Sequence, residues 1–108
     1  MPFCTEDQVR AIVDTDITDS ELIELIEDVD AQMILTIAGG GPNVTIRRSI
    51  SRIWTAYRCM LKDPDAQALG EYSQDRGEAL GRMKDELDVM IKAAGGGIAF
   101  TAYTSPIP

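Results

Sequence analysis

The chain has 108 residues, 44% hydrophobic and 26% charged, with 18 acids, 10 bases, no histidine and a formal charge of −8. That size and balance describe one globular domain and exclude broad nucleic-acid binding, which needs clustered Lys and Arg to neutralise phosphate. No apolar run approaches the roughly 20 residues that span a bilayer, and without the basic-then-apolar pattern of a signal peptide the expected setting is the cytoplasm or an assembly formed there.

Residues 1–30 hold ten acids and one base, Arg10. The first predicted helix, Glu6 to Val13, lies within this acidic stretch. Thr5 with Gln8 has capping-box spacing, and Cys4 with Val9 has the spacing of a hydrophobic staple. The Asp14–Asp16 region ends it.

The second helix is expected from Asp19 to Ile37. Thr18 is a natural N-cap with Glu21 three residues on, and Ile17 with Leu22 repeats the staple. Leu22, Ile26, Val29, Met33 and Ile37 recur at helical spacing, and Ile23 and Leu25 widen that stripe. Glu21, Glu24 and Asp28 lie on the far side. Gly39, Gly40 and Gly41 followed by Pro42 stop the helix.

The third helix is predicted from Val44 to Leu61, capped by Asn43 or Thr45. Ile46, Ile50, Ile53, Trp54, Tyr57, Met60 and Leu61 form its apolar stripe, which marks it as the centre of the core with Trp54 near the middle. Arg48, Arg52, Thr55 and Cys59 fall opposite. Residues 44–62 carry Arg47, Arg48, Arg52, Arg58 and Lys62 and no acid. Asp63 before Pro64 ends the helix, because the residue ahead of a proline disfavours helical backbone.

Residues 65–74 read either as a helical piece or as an ordered loop. The fourth helix follows from Gln74 to Ala94, with Leu80, Met83, Leu87, Met90 and Ile91 as its stripe. Glu78–Arg82 and Asp88–Lys92 are spaced as favourable i,i+4 pairs. Gly77 and Gly81 share one flank, where another backbone can approach. Gly95, Gly96 and Gly97 close the helix and divide the chain into a helical domain, 1–94, and an extended tail, 95–108. In the tail Ile98, Phe100 and Ala102 alternate with Ala99, Thr101 and Tyr103, a short strand with no expected partner strand elsewhere. Ile98, Phe100 and Tyr103 either dock on a partner or fold back on the domain. The fold class is therefore all-α, a compact bundle of about four helices with an extended C-terminal tail.

Catalytic chemistry is thinly represented. The commonest general base and metal ligand is missing with histidine. Cys4 and Cys59 are too far apart for a zinc-ligand pattern and are expected to stay reduced. Asp14, Asp16 and Thr18 start like a calcium loop, but Asp19 stands where glycine is required and Leu25 where the bidentate Glu belongs. Acids there suit a helix N-terminus. Gly39–Gly41 ahead of Arg47 and Arg48 lacks the Lys-Ser/Thr of a nucleotide loop. No catalytic residue, metal or cofactor is expected. The third-helix arginines are either a solvated outer face or a functional stripe, which meets Glu24, Glu27 and Asp28 of another copy or faces nucleic acid in a channel; where copies meet, Arg47, Arg48, Arg52 and Arg58 are interface residues.

The succession of segments resembles the head–tail connector (adaptor, or head-completion) proteins of long-tailed bacteriophages. The likeness is carried by Thr5-Glu6-Asp7-Gln8-Val9-Arg10, by Asp16-Ile17-Thr18-Asp19-Ser20-Glu21-Leu22 opening a long helix, by the amphipathic third helix, by a Gly70-Glu71-Tyr72-Ser73 loop and by a final helix. It covers most of residues 4–94; the triple glycines at 39–41 and 95–97 fall outside the pattern. The resemblance implies a structural, non-enzymatic virion protein of the neck, assembled in the host cytoplasm. It implies a homo-oligomeric ring, typically of twelve copies, below the portal protein. Such a ring extends the channel through which packaged DNA passes without sequence-specific binding, and receives the next neck or tail-completion protein. A membrane partner is not implied. The other reading open to the residues is a small acidic regulator, antitoxin-like, that binds a protein partner through its acidic helix.

Overall fold

The computed structural model describes residues 2–37, 43–63, 65–69 and 75–94. Four helices, α1 (Glu6–Arg10), α2 (Asp19–Thr36), α3 (Val44–Lys62) and α4 (Arg76–Ala93), build an all-α bundle. The capping chemistry is in place at every start. Thr5 and Gln8 bond reciprocally, and Thr18, Asn43 and Asp75 each accept the backbone N–H three residues on. Asn43, rather than Thr45, caps α3. At α2 the box is incomplete: Glu21 Oε1 takes a 3.3 Å bond from the Thr18 hydroxyl instead of from its backbone.

Helix α3 is the spine, packed against α2, α4 and α1. Leu22, Ile26, Val29, Met33 and Ile37 are buried along α2, as are Met83, Leu87 and Ile91 along α4. Trp54 is 4% exposed. Burying large apolar side chains is worth about 1.5–3 kcal/mol each, so these stripes hold the three long helices together.

The second half of α3 is sealed on more than one side. Thr55 and Cys59, expected opposite the apolar stripe, are buried together with Ser51 and Ala56. Their side chains are small, which lets α1 and the strand after it lie close on that flank. Leu61 and Ile23, expected in the core, are 58% and 41% exposed. Leu61 sits in the last turn of α3, and Ile23 on the outer edge of the α2 stripe.

The chain leaves α1 at Arg10, not at Val13. Ala11 and Ile12 close the helix with bonds to Asp7 and Val9 carbonyls, and the β-branched pair Ile12-Val13 turns extended. Val13–Asp14 (β1) pairs antiparallel with Gln67–Ala68 (β2), Val13 facing Ala68 and Asp14 facing Gln67. A 3.0 Å bond from Leu69 N–H to the Ile12 carbonyl lengthens the ladder. Part of the ambiguous 65–74 stretch is thus strand. The helical domain contains a strand pair that periodicity did not announce.

Candidate functional site

Three cations form ion pairs among the described residues. Arg10 reaches Asp19 at 2.9 Å, Lys62 reaches Glu21 at 3.4 Å and Arg82 reaches Glu86 at 3.3 Å. The residues expected at an interface behave differently. Glu24, Glu27 and Asp28 stand exposed along α2, with no ion-pair partner among the described residues. On α3, Arg48 is exposed and Arg58 half-buried, also without an ion pair among the described residues.

The other two arginines turn inward. The Arg47 guanidinium lies 5.7 Å from the Phe3 ring centroid, within cation–π range. Arg52 is half-buried, and its Nε is sealed from solvent with no hydrogen-bond partner among the described residues. Its charge acts on the Cys4 thiol of the same chain. The structure therefore divides the four arginines, leaving Arg48 as the fully outward one.

The Phe3 backbone joins a buried polar chain. Asp30 is 8% exposed and accepts two hydrogen bonds, from the Phe3 backbone N–H at 2.8 Å on Oδ2 and from the Ser51 hydroxyl at 2.7 Å on Oδ1. Ser51 Oγ is also 3.1 Å from Cys4 Sγ. Burial pushes the Cys4 thiol pKa up, against the Ser51 contact that lowers it. A protonated, enclosed sulfur fits a packing role better than a nucleophilic one. Cys59, free and buried as well, is raised by burial in the same way. Asp30 carried a signal in the sequence, since it stands four residues after Ile26 and three before Met33, on the core register of α2.

The segment Pro2–Cys4, pinned by Asp30, separates two depressions. One, of about 470 Å³, runs beside α2 and is walled by Ile23, Ile26, Ala31 and Ile34 with Glu27 at its edge. The other, of about 260 Å³, lies between Pro2, Phe3, Val44 and Arg47. Ile34 and Val44 are 55% and 57% exposed.

A second polar cluster ties the α1–α2 connection to the end of α3. The Thr15 hydroxyl donates to Asp63 Oδ2 at 2.6 Å, and the Asp65 N–H donates to Asp63 Oδ1 at 3.0 Å. These bonds, the Thr15 hydroxyl foremost, hold the Asp63 carboxyl below its ordinary pKa. Arg10 donates to the Thr15 and Ile17 carbonyls as well as to Asp19. The acid-rich turn at 14–19 is thus organised around an arginine. No cluster of three metal-ligating side chains occurs among the described residues, and no described helix is long and apolar enough to cross a membrane.

Gly81 meets nothing within 4 Å where a Cβ would stand, and Gly77 meets Asp75 Oδ1 at 3.5 Å. Among the described residues no backbone approaches the bare flank of α4 at Gly81. The proposed docking residues Ile98, Phe100 and Tyr103 lie outside the described residues, as do the glycines at 39–41 and the Gly70–Ser73 loop. Comparison with protein-family models, with characterised proteins and with solved structures returns no match.

Proposed function

We propose that this chain is a structural assembly subunit of the head–tail connector type, one copy in a ring beneath a phage portal that extends the DNA channel and receives the next neck or tail protein. The observation that carries the reading is the set of charges left over by the fold. Glu24, Glu27 and Asp28 on α2, and Arg48 and Arg58 on α3, find no ion pair among the described residues, whereas Arg10, Lys62 and Arg82 do. Opposite charges kept apart in one subunit are available to meet between subunits, where a repeated ring of weak pairs adds up. The order of segments from residue 4 to residue 94 supports the connector type among assembly proteins.

The tail residues Ile98, Phe100 and Tyr103 are assigned to docking on the portal or the neighbouring neck protein by strand addition. The test is the mass and shape of the purified full chain, by light scattering and negative-stain electron microscopy, alone and with portal protein. Rings in either condition are expected. A chain that stays monomeric, and passes the portal without association, overturns the proposal and favours the regulator.

A further inference from the structure

We infer that the groove beside α2 receives the first turns of α3 from a second copy of this chain, with Glu27 of one copy facing Arg48 of the other. This rests on the assembly reading above and names the contact that makes it.

The two surfaces match in chemistry and in spacing. Along α2, Ile23, Glu27, Ala31 and Ile34 follow one another at helical intervals and share one face. Ile23 and Ile34 are 41% and 55% exposed, so large apolar area brackets a carboxylate that has no ion-pair partner among the described residues. Along α3, Val44 and Arg48 are four residues apart and therefore neighbours on one face. Val44 is 57% exposed, and Arg48 is exposed with no ion pair among the described residues. An apolar–acidic face and an apolar–basic face are each incomplete in the single chain and complete each other.

Other occupants fit less well. Residues 95–108 contain no charged side chain, so the tail offers no cation to Glu27 or to Glu6, which also borders the groove. Nucleic acid is repelled by the same carboxylates. The α3 start of the same chain lines a separate cleft with Pro2 and Phe3 and leaves Val44 exposed. A stable contact between copies buries on the order of 800 Å² on each side, so the groove is its centre and the flanking residues Glu24 and Leu35 its rim.

The experiment is a charge-swap cycle on the full chain, read as the concentration dependence of mass by analytical ultracentrifugation. Glu27→Arg and Arg48→Glu should each shift self-association to about tenfold higher concentration or more, and the double variant should return close to the parent. The parent's association should also weaken at high salt, because the central pair is electrostatic. Both positions are exposed, so unchanged circular dichroism and melting temperature separate lost association from lost folding. Assembly of the parent that neither single variant disturbs, or that the double variant fails to restore, overturns this contact and leaves the assembly reading standing. A parent that is monomeric at every concentration overturns the contact, and absence of association with portal as well removes the assembly reading.

Discussion

Replacing Trp54 by Ala empties a site that is 4% exposed and belongs to the buried core cluster. Truncations of this kind cost about 3–5 kcal/mol, most of what a domain of this size has to lose. Denaturant titration of Trp54→Ala should show a collapsed midpoint; a midpoint close to the parent's would place the indole at the surface. Asp63 acts through protons instead of volume. Its pKa is lowered in the fold, first by the Thr15 hydroxyl. A lowered carboxyl contributes stability that is whole above its unfolded value, about 4, and disappears as pH falls through the folded value. Asp63→Asn lacks that contribution. Urea midpoints measured from pH 7 downward should show the parent ahead at neutrality and the gap closing below about pH 4. A gap independent of pH would mean that the Thr15 contact does not favour the ionised form.

At the level of elements, the long helices were legible because each carries a strong periodic stripe between recognisable caps. The end of α1 was not. Val9, Ile12 and Val13 share a helical edge in the sequence, yet Val13 leaves to pair with Ala68. A two-residue strand has no period to read, and its partner is more than fifty positions away. The same limit applies to the candidate surface. The separation of acids on α2 from arginines on α3 was visible in composition, but not that Arg47 covers Phe3 and that Arg52 is half-buried with its Nε sealed from solvent. The first outcome depends on the Pro2–Cys4 segment, whose place is set by the long-range bond from Phe3 to Asp30. For α4 the start signal is local. Asp75 accepts the Glu78 N–H at 3.0 Å, and Asp75→Ala should lower stability by about 0.5–2 kcal/mol. Circular dichroism melts check this, with Asp75→Asn expected to retain most of the effect of the cap. Equal losses in both variants would indicate that Asp75 matters for some other contact.

For the whole molecule, many of the long-range bonds cross between the same two portions of chain. Residues 2–37 contribute α1, β1 and α2, and residues 43–94 contribute α3, β2 and α4. The β1–β2 ladder, Thr15 on Asp63, Ser51 on Asp30 and Lys62 on Glu21 each join one portion to the other. So does the contact of α2 with α3. The covalent link between residues 37 and 43 is therefore one connection among many. Cutting it removes the entropic advantage of a tether but none of these bonds. The domain should behave as two complementing halves. Peptides ending at Ile37 and beginning at Asn43, produced apart and mixed, should find one another, co-elute as a single species and regain the helix content that neither has alone. Halves that remain separate at micromolar concentration would show that the ladder and its neighbours hold the bundle only when the chain is continuous.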